Sequence, residues 1–115
     1  MKRGDVVIVD FPFTSGSQSK VRPALVVQND RENRRLSKTI VAMLTGNLTR
    51  AAEPTHLLLN PATPDAASSG LHGPSLLSCV NLYTIDQSSV RRIIGELSGD
   101  AMRKVDVCLR EALGL

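Results

Sequence analysis

The sequence predicts a mainly β fold with one C-terminal helix (α+β), in which a small closed or half-closed β-barrel carries the helix on its surface. Short apolar segments alternate with turns rich in Gly, Pro, Asn and Ser between residues 5 and 97, which is typical of strands joined by tight loops. After Ser98, apolar residues recur at helical spacing. The 115 residues suffice for one core, so we expect a single domain over residues 1–115.

The stretch that organises the chain is Val21-Arg22-Pro23-Ala24-Leu25-Val26-Val27-Gln28-Asn29-Asp30. Residues 24–27 are too few and too β-branched for a helix, so they predict a buried strand. Proline has a fixed φ and no N–H, which favours the start of a strand over its middle. We therefore expect Arg22 at the mouth of this strand, where a loop meets a rigid element.

The other elements follow from similar local patterns. We expect further strands at residues 5–11, 39–44, 56–59, 76–80 (with a continuation at 83–85) and 91–97. The predicted loops are 14–21, 46–55 and 60–74, the last being the longest and least regular, and 31–38 is a charged connector with one helical turn. Ser98 is expected to cap a helix over 99–112 that packs one face on the sheet, with Gly114 as its stop.

Composition and charge narrow the class of protein. Hydrophobic residues make up 42% and aromatic residues 3%, with no Trp, so the core is aliphatic and a nucleic-acid surface built on stacking platforms is disfavoured. Residues 1–50 hold nine Lys/Arg and four Asp/Glu, a net +5, whereas residues 51–115 hold five and seven, a net −2. A basic half that includes Arg22 suits a polyanionic partner such as RNA, DNA or an acidic peptide. The alternative is that the cations of the connector are only a solvated loop: Arg31, Arg34, Arg35 and Lys38.

Short sequence segments predict the cellular location of the protein and the state of its two cysteines. No apolar run approaches a membrane span, and an acid follows the first cations at Asp5 before any apolar region, which is unlike a signal peptide. We expect a cytoplasmic protein. Cys79 and Cys108 are isolated in apolar surroundings, so we expect buried thiols and neither a disulfide nor a metal pair.

Most familiar catalytic motifs are missing from the sequence. It has no P-loop, no Gly-x-Ser-x-Gly and no Cys/His ligand spacing, so we expect no cofactor and no metal. A cluster of Asp5, Asp10 and Asp30 would require folding to gather them.

What is left is a cation, Arg22, at a strand start and a hydroxyl, Thr45, at a strand end. If the two strands are neighbours, these side chains share one face or rim. A guanidinium binds two phosphate oxygens in a fork and a hydroxyl binds a third, while RNA supplies its own 2′-OH nucleophile. The alternative is a structural ion pair for Arg22 and a turn cap for Thr45.

The chain resembles the MazF/PemK family of toxin endoribonucleases over nearly its whole length. The resemblance is carried by Arg3-Gly4-Asp5-Val6, Val9-Asp10-Phe11, the stretch from Arg22 to Asp30, Asn33-Arg34, Thr39-Ile40-Val41-Ala42, Leu44-Thr45, Thr84-Ile85-Asp86 and residues 100–106.

The resemblance implies an SH3-like small β-barrel of the MazF/PemK/CcdB type with a C-terminal helix, usually a homodimer. It also implies sequence-specific, metal-independent cleavage of single-stranded RNA to 2′,3′-cyclic phosphate and 5′-hydroxyl ends. Arg22 matches the arginine that stabilises the transition state and assists proton transfer, and Thr45 matches the threonine that holds the scissile phosphate. Because an arginine almost never gives up its proton, we assign Arg22 to charge stabilisation and leave the general base open. The implied partner is a smaller acidic antitoxin that wraps the basic groove.

The chain also departs from the family pattern. The loop Gly16-Ser17-Gln18-Ser19-Lys20 lacks the Glu that many members carry before the Arg-Pro pair. In the Kid branch an Arg and an Asp from a later strand join catalysis, and the matching positions here are Ser78 and Val80. His72 lies near that strand and is a candidate acid or base, with a plain loop histidine as the alternative; a contribution from His56 is left open as well.

RNA contacts are expected from polar residues around the two strand ends: Gln18, Lys20, Gln28, Asn29, Asp30 and Asn47. For residues 28–30 the alternative is turn formation into the connector. The three loops are expected to set base specificity.

Two other functions fit the same fold. One is a gyrase poison of the CcdB type, although such a protein acts through a Trp-containing tail and this chain ends Ala112-Leu113-Gly114-Leu115. The other is a non-catalytic module that only binds an acidic partner.

Overall fold

The computed structural model describes residues 1–11 and 20–115, with Lys20 described by its backbone alone. Gln18 and most of the predicted loop 14–21 lie outside the described residues. The described elements are, in chain order, β1 (Asp5–Phe11), β2 (Lys20–Val26), α1 (Asp30–Arg35), β3 (Lys38–Thr45), β4 (His56–Leu59), β5 (Ser75–Asp86), a 3-10 turn (Gln87–Ser89), β6 (Val90–Glu96) and α2 (Gly99–Leu113).

The six strands form one antiparallel sheet in the order β4-β5-β3-β2-β1-β6. The mainly β fold with a C-terminal helix is thus confirmed, and β2 lies in the middle of the sheet as its apolar composition predicts. The apolar residues of β1 are buried on both faces: Val6 belongs to one core cluster, and Val7 and Val9 belong to the other. A continuous apolar run rather than an alternating one is the signature of such a doubly covered strand.

The first cluster lies between the sheet and α2, and the second covers the opposite face of β1, β2 and β3. Helix α2 begins where the Ser98 hydroxyl accepts a hydrogen bond from the Ala101 N–H at 3.1 Å. It ends at Gly114, whose φ of +71° needs a residue without a Cβ. Val105 and Cys108 of its inner face are buried in the first cluster, so the predicted cap, face and stop are confirmed.

Of the closed or half-closed barrel that was expected, the described residues form the half-closed one, because β4 and β6 are the two sheet edges and do not pair. The loop 60–74, which follows β4, bridges these edges instead. The Glu96 N–H donates to the Ser68 carbonyl at 2.9 Å, and Gly95 lies against the backbone of Ser68 and Ser69. Although this loop has no helix or strand, it is a series of hydrogen-bonded turns that buries Ala66 and Ser69.

Pro23 corrects one expectation, since it is the fourth residue of β2 and not its first. It is paired with Ile8 of β1, but the ladder to β3 covers only residues 24–26. At Pro23 the strand therefore has a neighbour on one side only, which is the local edge that a residue without an N–H tolerates. Arg22 consequently lies within β2 beyond the end of the β3 ladder, and not in a loop before the strand.

Cys79 and Cys108 are both free and buried in the first cluster, as predicted. The Cys108 thiol donates to the His56 carbonyl at 3.5 Å. Burial, with a smaller effect of Cys108, raises the pKa of the Cys79 thiol to about 12, and burial with a smaller effect of Glu111 raises the pKa of Cys108.

A raised pKa keeps both thiols protonated at pH 8, and the thiolate is the reactive form. We expect the native protein to react with a disulfide reagent such as dithionitrobenzoate far more slowly than the urea-unfolded protein, which releases two thiols' worth of chromophore. Rapid labelling of the folded protein at pH 8 would contradict this burial.

Gly95 offers a test of how the loop 60–74 is held. A Cβ added there would overlap the Ser68 carbonyl oxygen, whereas a Cβ on Gly73 would meet nothing within 4 Å. We expect Gly95→Ala to lower the free energy of unfolding by about 1–3 kcal/mol and Gly73→Ala to change it little, measured by urea denaturation. Equal midpoints for the two variants would show that the loop does not depend on this close approach.

Candidate active site

Arg22 and Thr45 lie on neighbouring strands, since β2 pairs with β3. The last ladder pair is Ala24 with Met43, and two residues further in the same register Arg22 stands opposite Thr45. Side chains two residues apart share a face of a strand, so Arg22 follows Ala24 and Thr45 follows Met43 onto one face of the sheet. The predicted arrangement of the two strands is therefore confirmed, with both residues just past the last pair of the ladder.

The Thr45 hydroxyl closes a small turn by accepting a hydrogen bond from the Asn47 N–H at 3.1 Å. Asn47 continues the turn, because its amide oxygen accepts from the Thr49 N–H at 3.0 Å and from the Thr49 hydroxyl at 2.5 Å. The turn-cap alternative for Thr45 is thus present in the structure. It uses a lone pair of the oxygen and leaves the hydroxyl proton available to a ligand.

Arg22 is exposed and has no hydrogen bond or ion pair to any side chain that the structure describes. This removes, for the described residues, the alternative in which it is a structural ion pair. Several other cations of the basic half are neutralised by acids from the second half, as in Lys2–Glu96 at 2.9 Å and Lys38–Asp86 at 2.7 Å. Arg31 and Arg34 resemble Arg22 in lacking an ion pair to the described residues.

A polar cleft of about 400 Å³ opens beside Thr45. Three strands line it because Met43, Ser78 and His56 are directly paired across β3, β5 and β4. Its remaining lining comes from the turn after β3 and from β5, and the full set is Thr45, Asn47, Thr49, Arg50, His56, Leu76, Ser78 and Asn81. Arg50, at the lip, pairs with Glu53 at 3.3 Å.

The structure brings together His56, whose contribution the sequence left open, and Ser78, to which the sequence assigned no functional role. The His56 ring is only 7% exposed, with Nδ1 2.9 Å from the Thr55 hydroxyl and Nε2 3.1 Å from the Ser78 hydroxyl. They meet because β4 pairs with β5, which no local spacing reveals. Asn81, Thr49 and Arg50 were likewise not singled out.

His72 lies elsewhere. It is exposed on the loop before β5 and lines a separate, larger cleft of about 710 Å³ with Pro23, Ile8 and Arg92. Pro23 follows Arg22 directly in β2, so its side chain is on the opposite face of the sheet. The structure therefore does not bring His72 to the cleft of Thr45, which agrees with the plain loop histidine.

Gln28, Asn29 and Asp30 hold the connector in place, as the turn-forming alternative expected. Gln28 is buried and donates from its amide to the Asn33 amide oxygen and the Lys38 carbonyl, both at 2.9 Å. Asn29 caps α1 by accepting from the Glu32 N–H at 2.9 Å, and Asp30 accepts from the Arg3 N–H at 2.6 Å. We therefore leave these three out of the proposed RNA contacts.

The other expected residues are distributed as follows. Asn47 lies in the cleft, Lys20 begins β2 opposite Phe11, and Gln18 is outside the described residues. Val80, the second position at which the Kid branch has a charged residue, is 55% exposed. Over the described residues no three Asp, Glu, His or Cys side chains lie together as metal ligands would, so Asp5, Asp10 and Asp30 are not gathered.

Comparison with known proteins decides the family. A family model described as a PemK-like, MazF-like toxin of type II toxin–antitoxin systems matches residues 2–113. The chain belongs to this family. The MazF/PemK resemblance read from the sequence is thereby confirmed.

Relatives and solved structures agree with this membership. The chain is 36% identical over 116 residues to the endoribonuclease EndoA of Bacillus subtilis (strain 168), covering all of this chain and 96% of that protein. It is also similar to a mycobacterial endoribonuclease solved with its cognate antitoxin (TM-score 0.77, 26% identity, all of this chain and 96% of that one). The fold matches MazF in a MazE–MazF structure from Deinococcus radiodurans as well (TM-score 0.77, 21% identity, all of this chain and 97% of that one).

None of the described helices is both long and apolar enough to cross a membrane.

Gln28 provides a test of the structural assignment. Gln28→Ala removes the 2.9 Å hydrogen bond to the Lys38 carbonyl, which keeps a longer one of 3.4 Å from Gln87. It also removes a donor to the buried Asn33 amide oxygen. We expect the free energy of unfolding to fall by about 2 kcal/mol in urea titrations, while Arg31→Ala, on the exposed surface of α1, changes it by less than about 0.5 kcal/mol. Unchanged stability of Gln28→Ala would contradict the assignment and return Gln28 to the candidate RNA contacts.

Proposed function

We propose that this MazF/PemK-family toxin is a sequence-specific, metal-independent endoribonuclease that cleaves single-stranded mRNA in the cytoplasm. The observation that carries the proposal is that Arg22, a cation without an ion pair to any described residue, and the Thr45 hydroxyl share one face of the sheet beside a polar cleft. The endoribonuclease EndoA, 36% identical over the full chain, supports the same activity.

The chemistry follows from what the two side chains provide. The 2′-oxygen of the RNA attacks the adjacent phosphorus, the bond from phosphorus to the 5′-oxygen breaks, and that oxygen takes up a proton. The products carry a 2′,3′-cyclic phosphate and a 5′-hydroxyl. The phosphorane formed on the way bears extra negative charge, and a guanidinium fork stabilises it through two charge-assisted hydrogen bonds.

Thr45 positions the phosphate. Its oxygen is held by the Asn47 N–H at 3.1 Å, so the hydroxyl proton is directed away from the turn and toward a ligand. Because a guanidinium is a poor proton acceptor, Arg22 serves as the charge and not as the base.

The proposed partners are an acidic antitoxin and a second copy of the chain. The mycobacterial endoribonuclease solved with its cognate antitoxin and the MazE–MazF structure from Deinococcus radiodurans support an antitoxin. The chain itself contributes exposed cations without ion pairs to described residues, Arg22, Arg31 and Arg34, which attract an acidic tail by the same charge that attracts RNA. An antitoxin on this surface blocks the substrate.

The test is incubation of the purified protein with a long single-stranded RNA in EDTA, followed by mapping of the product ends. We expect discrete cuts with 2′,3′-cyclic phosphate ends. Arg22→Ala is expected to slow cleavage by roughly 100-fold or more and Thr45→Val by roughly 10- to 100-fold, since each removes a donor to the transition state. The control is Arg110→Ala, an exposed cation of α2 on the other side of the sheet, which should cleave at the wild-type rate.

Two outcomes would overturn the proposal. Intact RNA with the wild-type protein would favour a binding module or a gyrase poison, the latter then tested by inhibition of DNA supercoiling. Wild-type cleavage by Arg22→Ala would show that the activity lies elsewhere in the chain.

A further inference from the structure

Strand β5 carries a large bulge next to the cleft. The ladder to β3 pairs Ala42 with Leu82 and then Met43 with Ser78, so residues 79–81 have no counterpart in β3. In a regular strand, side chains three residues apart point to opposite faces. Here the bulge brings the Asn81 amide back to Ser78, and its nitrogen donates to the Ser78 hydroxyl at 2.8 Å. Bulges recur beside functional sites because they re-aim single side chains in this way.

The hydrogen bonds behind Asn81 form a chain across two strands. An amide nitrogen only donates, so the Ser78 hydroxyl accepts from Asn81. The same hydroxyl is hydrogen-bonded to His56 Nε2, 3.1 Å away, and His56 Nδ1 lies 2.9 Å from the Thr55 hydroxyl. Because Ser78 is 3% and His56 7% exposed, the anchor of the Asn81 amide is buried and ordered by packing.

The outer part of the Asn81 amide is not used by the fold. Its oxygen and its second N–H have no hydrogen-bond partner among the described residues, and Asn81 lines the cleft together with Thr45. A donor and an acceptor side by side match the edge of a base that carries an amino group next to a ring nitrogen, which is the case for adenine and cytosine. Single-stranded RNA is read on such edges once its bases are splayed apart.

We propose that Asn81 is a specificity-determining residue that reads one base beside the scissile phosphate, with Ser78 and His56 as the residues that position its amide. This inference rests on the proposed function, because it takes RNA as the ligand of the cleft. The described lining of the cleft includes no Phe, Tyr or Trp, and its one imidazole ring, that of His56, is 7% exposed. Discrimination by stacking is therefore weak there, and hydrogen bonds must carry it. Leu76, 1% exposed, provides an apolar floor opposite Thr45 for the face of the base.

The first experiment sequences the cleavage sites of a random single-stranded RNA pool for wild type, Asn81→Ala and Asn81→Asp. We expect Asn81→Ala to reduce the preference at one position of the motif by roughly tenfold or more, while other positions keep theirs. Asn81→Asp presents acceptors only, so the preference at that position should move toward guanine, which offers two donors. Thr84→Ala, an exposed residue of the same strand outside the cleft, serves as the control and should keep the wild-type motif.

The second experiment tests the positioning role of Ser78. We expect Ser78→Ala to relax the same motif position and to raise KM for RNA of the preferred sequence more than for RNA mismatched there. A purely structural role would instead lower the cleavage of both RNAs alike. An unchanged motif with Ser78→Ala would remove Ser78 and His56 from the inference, even if Asn81 keeps its role.

A binding assay separates this inference from the proposed cleavage. Oligonucleotides with 2′-O-methyl groups lack the nucleophile, so their affinities report base preference whether or not the protein cuts RNA. Flattened preferences for Asn81→Ala in this assay support the role of Asn81 even if all RNAs survive the cleavage test. Identical base preferences for wild type and Asn81→Ala, in binding and in cleavage, would overturn it.

Discussion

The structure depends on the point at which β2 and β3 stop pairing. The ladder ends at Ala24 and Met43, and the next residue of β2 is a proline that has no N–H to offer a neighbouring strand. Beyond that point β2 keeps only β1 as a neighbour and β3 keeps only β5. These residues, paired on one side only, include Arg22 and Thr45. A longer ladder would have placed both side chains among strand neighbours in the middle of a sheet. The early end leaves the guanidinium exposed and lets the chain turn sharply at Thr45, so one backbone constraint creates both halves of the candidate site.

A second constraint is that the edge strands β4 and β6 are connected by a loop and not by strand pairing. The sheet edges β4 and β6 do not meet, and the loop 60–74 crosses between them with its backbone pressed against Gly95. A hydrogen bond from Glu96 to Ser68 fixes the contact at 2.9 Å. This arrangement leaves β4 short and lets its first residue, His56, pair with Ser78. The loop that closes the fold on one side therefore leaves room for the cleft on the other side of the sheet.

The sequence predicted correctly those features that depend on interactions between residues close together in the chain. Neighbouring residues alone predicted the apolar run of β1, the Ser98 cap, the buried face of α2 and the stop at Gly114. The prediction that Arg22 and Thr45 share one face required only that their strands be adjacent. The misplaced features are all set by partners distant in sequence. Pro23 lies inside β2 because β3 ends beside it, and β5 runs on through residues 79–81 because the bulge keeps the strand continuous. The hydrogen bond between His56 and Ser78 could not be predicted from the sequence, because it forms only when β4 pairs with β5.

The charge balance of the cleft supports the proposal that Arg22 provides most of the charge stabilisation. Where the Kid branch is expected to have an Arg and an Asp, this chain has a hydroxyl and an aliphatic side chain at Ser78 and Val80. Of the cations near the cleft, Arg50 is 68% exposed on its side chain and shares its charge with Glu53, and surface pairs of this kind contribute little field. Under the proposed function, Arg22, which has no ion pair to a described residue, is the main stabiliser of phosphorane charge. Under the same proposal, the neutral side of the cleft, which includes Ser78 and Asn81, contributes hydrogen bonds and no second charge.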